Sequence, residues 1–395
     1  MKKQNHKFDT LAIHAGGKKK NPENALNYPI FMTSTFTFDD LDHVEKVMSF
    51  ESDDYVYTRG NNPTLRHLEQ RISALEGGIA AVAFSSGMAA ISSVLFSLLK
   101  SGEKVIAHNI LYGSTHNVIT KLLPKYGMGY KLADLTKPDD FISAIDEKVK
   151  IVYFETPVNP DLSIIDINKI VKIAHKNGIK VVVDNTFATP YFQRPLSLGA
   201  DVVVHSATKY IGGHGDVVAG LAISNDQDYI NYLKFDYMCE FGGVMSPFNG
   251  WLLLRGIKTL GLRMREQEKN AKILAKFLQA HSMVTKVNYP GLKNFSGFEL
   301  AKEQMIGFGA MLSFEVIGGL ETARKIVSNL KLAKLAVSLG DCETLVELPA
   351  AMTHRGYSSI ELKKYGLSLS LIRVSVGLED IADILGDFEQ TLKNI

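Results

Sequence analysis

The middle of the chain alternates short runs of β-branched and other apolar residues with segments of helical periodicity. Such alternation is typical of parallel βαβ units, in which helices cover both faces of one sheet. It therefore predicts an α/β fold. The expected strands are 80–84, 104–107, 150–155, 180–184, 201–205 and 219–224, and the expected helices are 64–75, 88–99, 115–126 and 167–177, the last closed by Gly178.

A different pattern begins near Ser246. A long helical pattern runs from there to His281, and mixed strands and helices follow to the end. A chain of 395 residues is long enough for two or three domains. We therefore expect a domain boundary close to residue 255, with no internal repeat on either side.

Charge and cysteine content exclude several classes of protein. Lys and Arg number 44 against 42 Asp and Glu, and the chain has no long basic run that could bind along a phosphate backbone. Nucleic acid is therefore not an expected partner. The two cysteines, Cys239 and Cys342, cannot form a disulfide framework and favour a reducing compartment. The N-terminal residues lack the apolar stretch of a signal peptide. We therefore expect a cytoplasmic protein.

The stretch 77–99 contains no charged residue and is long enough to span a bilayer. Its five serines and its central Gly87 instead predict a short strand, a turn and a helix, because polar groups are costly in lipid. No membrane association is expected.

Ligands of open parallel sheets bind beyond the carboxyl ends of the strands, so the residues that follow each strand carry most information. The run Ser85-Ser86-Gly87-Met88 opens a helix, and the free N–H groups of Gly87 and Met88, together with the hydroxyls of Ser206 and Thr208, can cradle a phosphate. These four residues predict a phosphate site.

Two further residues that follow or end a strand add chemistry to that phosphate site. Asp184 can hold a proton on a heterocyclic nitrogen, and a desolvated Lys209 can react with an aldehyde. Together they describe pyridoxal 5′-phosphate (PLP). Taken singly, Lys209 also fits a solvated side chain and Asp184 a helix cap. A dinucleotide site is the rival, but no G-x-G-x-x-G opens a helix after the first expected strand.

The residues that carry this chemistry lie in longer recognisable stretches. The chain resembles the Cys/Met-metabolism family of PLP-dependent enzymes over nearly its whole length, through VDNTFATPYFQRPLSLGADVVVHSATKYIGGHGDVVAG (183–220), YTRGNNPT (57–64), FSSGMAAI (84–91), ETPVNP (155–160) and LIRVSVGLED (371–380). The resemblance implies a fold-type I, three-layer αβα architecture with a mostly parallel, seven-stranded sheet. Its implied parts are an N-terminal arm (1–60) that contacts the neighbouring subunit, a large PLP-binding domain (61–255) and a C-terminal α/β domain (256–395).

The resemblance also implies roles for individual residues around the cofactor. Lys209 would be the Schiff-base lysine, Asp184 the partner of the ring nitrogen and Tyr112 the stacking and proton-transferring tyrosine. The implied phosphate ligands are Gly87, Met88, Ser206 and Thr208, and Asn159 would lie near the phenolic oxygen.

Further residues are implied to act on the substrate or across a subunit boundary. Arg373, assisted by Ser338, would bind the substrate carboxylate through a charge-assisted fork. Tyr57 and Arg59 would reach the cofactor phosphate of the neighbouring subunit. We therefore expect a homodimer or homotetramer with shared active sites, and no metal.

The substrate is indicated by Val337. Cystathionine γ-synthases and γ-lyases carry a glutamate there, which can meet a distal ammonium, whereas methionine γ-lyases carry valine. We expect α,γ-elimination of methionine or homocysteine. Ser114, Met238 and Cys239 differ from the residues that are typical of methionine γ-lyases, and all three lie beside the expected substrate tail.

Several alternatives stay open. One is γ-replacement by an O-acylhomoserine sulfhydrylase or a cystathionine γ-synthase; others are a cystathionine γ- or β-lyase and a non-catalytic cofactor-binding protein. Cys239 has no assigned role.

Overall fold

The computed structural model describes residues 6–17, 20–355, 357 and 359–395. Residues 1–5, 18 and 19 of the expected N-terminal arm lie outside this part of the chain. The described chain contains two β-sheets, of seven and five strands.

The seven-stranded sheet is mostly parallel, as predicted. Its strand order is β1-β7-β6-β5-β4-β2-β3, and β7 is antiparallel to both of its neighbours. The other adjacent strands are parallel. The strands are β1 (Ala80–Phe84), β2 (Lys104–His108), β3 (Gly129–Ala133), β4 (Val149–Glu155), β5 (Lys180–Asp184), β6 (Val202–Ser206) and β7 (Gly220–Ser224).

Helices cover both faces of this sheet, which explains why the interior positions of its central strands are mostly apolar. In β5, Val182 belongs to one buried cluster, while Val181 and Val183 belong to another on the opposite face. The helices of this region are α1 (Phe8–His14), α2 (Leu41–Met48), α3 (Pro63–Glu76), α4 (Gly87–Leu98), α5 (Gly113–Asn117), α6 (Pro138–Ala144), α7 (Ile167–Lys176), α8 (Thr189–Phe192), α9 (Gln227–Tyr232), α10 (Cys239–Phe241) and α11 (Pro247–Ile257).

Strand β3 was not predicted from the sequence. It lies at the edge of the sheet, and only its last residue, Ala133, is fully buried. An edge strand with one buried side chain has no apolar run to reveal it. The predicted helix 115–126 is also not regular, since α5 continues as a π-helical turn (Val118–Leu122) and a 3₁₀ turn (Leu123–Tyr126) that contains Pro124.

The five-stranded sheet has the order β10-β11-β12-β9-β8. Its strands are β8 (Val284–Asn288), β9 (Met311–Val316), β10 (Lys334–Leu335), β11 (Leu345–Glu347) and β12 (Ile372–Ser375). The accompanying helices are α12 (Leu260–Ala280), α13 (Phe298–Gln304), α14 (Gly319–Asn329), α15 (Ser359–Lys364) and α16 (Ile381–Lys393). The long helical pattern 246–281 is therefore two helices, α11 and α12, and the exact domain boundary stays a prediction.

The uncharged stretch 77–99 forms β1 and α4, as predicted. Among the helices that the structure describes, none combines the length and the apolar character needed to cross a bilayer.

Candidate active site

The carboxyl ends of six strands of the large sheet lie at one edge. Because β7 runs in the opposite direction, it begins where the others end, and Phe84, Gly220 and Ser206 are side by side in register. Glu155 and Asp184 are paired in the same way at the ends of β4 and β5. The strand ends that the sequence singled out therefore converge at this edge.

The start of α4 lies directly against the end of β6. Ser86 caps the helix by accepting a hydrogen bond from the N–H of Ala89 at 3.1 Å. A Cβ atom at Gly87 would lie 2.8 Å from the Cβ of Ser206, so only glycine permits this approach. The first N–H groups of α4 thus lie close to Ser206.

Two of the four predicted phosphate ligands have other contacts. The Thr208 hydroxyl accepts a hydrogen bond from the N–H of Ala219 at 2.9 Å and lies 3.2 Å from its carbonyl oxygen. The sulfur of Met88 lies 3.8 Å from the Thr115 hydroxyl, which leaves the backbone of Met88 as the group available at the helix start. Thr208 therefore fixes the loop after β6, and its role at a phosphate stays a prediction.

Asp184 is a buried carboxylate held by three donors. Its Oδ1 accepts hydrogen bonds from the N–H of Thr186 at 2.9 Å and from the Thr186 hydroxyl at 2.5 Å. Its Oδ2 accepts from the Tyr153 hydroxyl at 3.3 Å. Burial raises the pKa of Asp184, and the bonds from Thr186 oppose that shift. No cation of the described chain forms an ion pair with Asp184, so the site favours a positive charge on a ligand.

Glu155 is a second buried carboxylate beside Asp184. Its Oε1 accepts a hydrogen bond from the backbone N–H of Tyr112 at 2.8 Å, which positions Tyr112 just before α5. Burial and then the charge of Asp184 raise the pKa of Glu155 well above its ordinary value. Asp184 accepts three hydrogen bonds and Glu155 only one, so the protonated form is favoured more strongly at Glu155 than at Asp184. The Tyr112 ring is 39% exposed and is available to a ligand.

The amine of Lys209 donates a hydrogen bond to the hydroxyl of Ser338 at 3.1 Å. Burial lowers the pKa of Lys209, and the nearby charge of Arg373 lowers it further. A lysine in such surroundings has a larger neutral fraction near neutral pH than a solvated one, as a nucleophile or base requires.

Arg373 is buried, at 2% exposure, and holds the second sheet against this edge. Its Nη1 lies 2.9 Å from Oε1 of Glu347 and donates to Oδ1 of Asn159 at 3.0 Å. Its Nη2 donates to the carbonyl oxygen of Ser338 at 2.9 Å. A guanidinium has five N–H donors, of which three are used here. Nε has no partner within the described chain, which leaves this N–H and one on Nη2 for a ligand.

Four other predicted residues lie beside the site residues or away from them. Val337, which precedes Ser338, is 62% exposed, and Ser114 lies half-buried in the first turn of α5. Tyr57 and Arg59 lie elsewhere. Arg59 donates to the carbonyl oxygen of Cys239 at 3.3 Å, and its guanidinium lies over the Tyr57 ring at 5.9 Å. No described contact joins this pair to Lys209 of the same chain.

Sequence analysis missed three side chains of the site. Tyr153 stands inside an apolar strand and gives no local signal, and Glu155 is the last residue of that strand, next to a turn in which other residues were singled out. Glu347 faces Arg373 across the antiparallel strands β11 and β12, and nothing in the sequence identifies that pairing. By contrast, Thr186 follows Asp184 at the spacing of an Asx turn, which is a local sequence signal for this contact.

The residues present fit PLP. The close approach at Gly87 supplies helix N–H groups for a phosphate, the buried Asp184 favours a cationic ring nitrogen, and the amine of Lys209 has no carboxylate partner within the described chain.

Comparisons with known proteins agree with this geometry. Residues 9–393 match the family model described as Cys/Met metabolism PLP-dependent enzyme. The chain is 46% identical to the L-methionine gamma-lyase of Fusobacterium nucleatum subsp. polymorphum, over 100% of both chains. It is 43% identical to the cystathionine beta-lyase of Lactococcus lactis subsp. cremoris, over 97% of this chain and 98% of that protein. The crystal structure of cystathionine gamma-lyase from Lactobacillus plantarum complexed with L-serine superposes with a TM-score of 0.92 at 40% identity, covering 99% of each chain.

Proposed function

The chain belongs to the Cys/Met metabolism family of PLP-dependent enzymes, and on that premise we propose that it is a carbon–sulfur lyase acting on L-methionine. The reaction is α,γ-elimination, in which methionine and one water give 2-oxobutanoate, ammonia and methanethiol. One observation carries the proposal. Lys209 and Arg373 both bond to Ser338, the first to its hydroxyl and the second to its carbonyl oxygen.

This shared contact supports a division of labour on one α-amino acid. Arg373 binds the α-carboxylate through its unused N–H groups, and this fixes the α-carbon close to Ser338. Lys209, freed from its hydrogen bond, takes the α-proton at Nζ. The lowered pKa of Lys209 suits this role, because a base must be unprotonated at the working pH.

Bound PLP supplies the electron sink for the electron pair left at the α-carbon. The residues around it hold charge in place. Asp184 keeps a proton on the ring nitrogen, and the proton on Glu155 prevents two adjacent buried carboxylates from ionising together. Tyr112, whose backbone Glu155 holds, presents its ring to the cofactor.

Selection of methionine over cystathionine is assigned to Val337. A valine offers no carboxylate to a distal ammonium, and an ammonium left without a partner in the site is costly. A methyl thioether carries no such charge. Ser114, Met238 and Cys239 complete the tail region in this proposal, and homocysteine is the second substrate that it accommodates.

The family resemblance and the position of Arg59 support a shared site. Arg59 contacts Tyr57 and Cys239, and no described contact joins Tyr57 or Arg59 to Lys209 of the same chain. We assign this pair to the cofactor phosphate of a neighbouring subunit, in a homodimer or homotetramer. Residence in the cytoplasm remains the expectation from the cysteine content.

A substrate panel tests the reaction. Methionine, homocysteine, cystathionine, cysteine, and O-acetylhomoserine with sulfide are compared under one condition, and 2-oxobutanoate, pyruvate and thioether products are measured. Methionine or homocysteine should give 2-oxobutanoate with the highest kcat/KM, and Lys209→Ala should give no product. Thioether formation as the dominant reaction would instead establish a sulfhydrylase, and cystathionine as the best substrate would refute the argument from Val337.

Complementation tests the shared site. Arg59→Ala and Lys209→Ala chains are produced together and the mixed oligomer is isolated through two different affinity tags. If each site combines residues of two chains, mixed dimers regain one intact site and part of the activity that both parent variants lack. No recovery in the mixed oligomer would place Arg59 in its own chain's site.

A further inference from the structure

A cavity of about 390 Å³ lies between the N-terminal segment, α3 and α11, and none of its lining residues belongs to the candidate active site. Five basic side chains line it: His14, His67, Arg71, Arg255 and Lys258. We call it the Arg71 cavity. Its volume is within the range of small-molecule sites.

The positive charge of the Arg71 cavity has no counter-charge in the described residues. None of those that line it is an aspartate or a glutamate. Arg71 is only 4% exposed, yet its bonds go to uncharged acceptors, from Nε to the carbonyl oxygen of Ala15 and from Nη2 to Nε2 of His67, both at 2.9 Å. Lys258 likewise donates to the amide oxygen of Asn27 at 2.6 Å.

The imidazole of His67 adds no charge, positive or negative, to the wall of the cavity. Its Nε2 accepts from Arg71, so its Nδ1 carries the proton and donates to the carbonyl oxygen of Gly16 at 3.1 Å. The Tyr28 ring stacks on His67 at 4.3 Å with an interplanar angle of 7°. The imidazole is therefore a neutral and fixed part of the wall. Burial and the charge of Arg71 keep its pKa low, at about 4.

We propose that the Arg71 cavity is a binding site for a small anion that carries two or more negative charges, of the pyrophosphate or di- or tricarboxylate class. A buried guanidinium without an ionic partner is unfavourable, and an anion that meets Arg71, Arg255 and Lys258 together removes that cost. Charge-assisted bonds to such an anion are shorter and stronger than the bonds to neutral acceptors that Arg71 makes now. This site is independent of the reaction at Lys209.

The cavity contains its own reporter, since Trp251 lines it and is the single tryptophan of the chain. Holoenzyme dialysed free of excess cofactor is titrated with pyrophosphate, phosphate or citrate, against sodium chloride at equal ionic strength, while tryptophan fluorescence is recorded. We expect a saturable change with pyrophosphate or citrate, a weaker one with phosphate and none with chloride. A response that follows ionic strength alone overturns the proposal.

A pair of variants links the response to the cavity. Arg255→Gln with Lys258→Gln removes two cations that are not core residues, and should weaken anion binding at least about tenfold. Lys272→Gln with Lys276→Gln on the exposed face of α12 makes the same change in net charge outside the cavity and should leave binding within about twofold. Equal loss in both double variants overturns the site, because it would reflect net charge only.

Thermal unfolding and sedimentation give second measurements. A bound anion stabilises the folded state by an amount that grows with the ratio of its concentration to its Kd, so pyrophosphate should raise the Tm of the parent and of the Lys272/Lys276 variant more than that of the Arg255/Lys258 variant. If the cavity is filled by a carboxylate of a second copy of the chain, the parent shows no saturable response and the Arg255/Lys258 variant sediments as a smaller species. That result also overturns the proposal.

Discussion

Replacing Arg373 by lysine separates the charge of this residue from its geometry. Lysine keeps a cation but has three donors at one point, whereas the guanidinium spans Glu347, Asn159 and Ser338 and keeps two N–H groups unused. If the ammonium of the new lysine pairs with Glu347, it no longer lies where a carboxylate can be bound through two parallel hydrogen bonds. Catalysis itself should change less, because the α-proton is taken by Lys209.

The size of the effect follows from the bonds lost. Hydrogen bonds to charged groups contribute about 1.5–3 kcal/mol each, and 1.4 kcal/mol is a factor of ten. Loss of one such bond to the substrate carboxylate predicts a KM for methionine about tenfold to a hundredfold higher in Arg373→Lys, with a much smaller change in kcat. Steady-state kinetics with cofactor in excess measures both constants.

Two controls make this result specific. Arg324→Lys changes the same residue type at an exposed position and should leave KM within about twofold. L-Methioninamide lacks the carboxylate, so its KM should be nearly the same for the parent and Arg373→Lys. An equal rise of KM for methionine and its amide would refute the assignment of Arg373 to the carboxylate, since the variant would then have damaged the site in general.

Three other predictions test the site and the core. Val337→Glu should shift the ratio of kcat/KM values from methionine toward cystathionine by at least about tenfold, and an unchanged ratio in the substrate panel would exclude Val337 from the tail region. Asp184→Asn should lower kcat by about a hundredfold or more at saturating cofactor, since the amide does not hold a cation, and wild-type turnover would contradict this. Burial lowers the pKa of His108 to about 4, below its unfolded value near 6.5, so its contribution to the free energy of unfolding is complete above pH 6.5 and falls by about 3 kcal/mol as the pH drops to 4. His108→Gln, which keeps an acceptor for the N–H of Leu135, should therefore lose less stability than the parent between pH 7 and 4.5 in urea unfolding, and an equal loss would disprove the assignment.

The parts of the site predicted from sequence are those encoded locally. Gly87, Asp184 and Ser206 each end a strand or begin a helix, and parallel strands bring such ends to one edge whatever the details of packing. Side chains that meet through long-range pairing were not predictable in this way. Glu347 and Arg373 become neighbours only through the register of β11 and β12, and β3 lacks the apolar run that identifies an inner strand.

The resemblance to a family supplied what local patterns could not, namely roles for Arg373, Ser338 and Arg59. The structure adds the physical reason for two of them, because Ser338 joins Lys209 to Arg373 through two different oxygens. Thr208 shows the opposite case. Its position after β6 suggests a phosphate ligand, yet its hydroxyl bonds the backbone of Ala219, so the residue type alone did not determine its contact.

The charges of the site are incompletely paired within the chain itself, and this links cofactor binding to stability. Asp184 is buried without a cation, Lys209 is desolvated without a carboxylate partner, and Nε of Arg373 has no acceptor in the described residues. Each of these groups favours a complementary group on a ligand, because an unpaired buried charge or donor is unfavourable. Binding of PLP and of an amino acid removes these costs from the folded state alone. The holoenzyme is therefore expected to be more stable than the apoenzyme by an amount that grows with cofactor concentration, and part of that increase should disappear in Asp184→Asn.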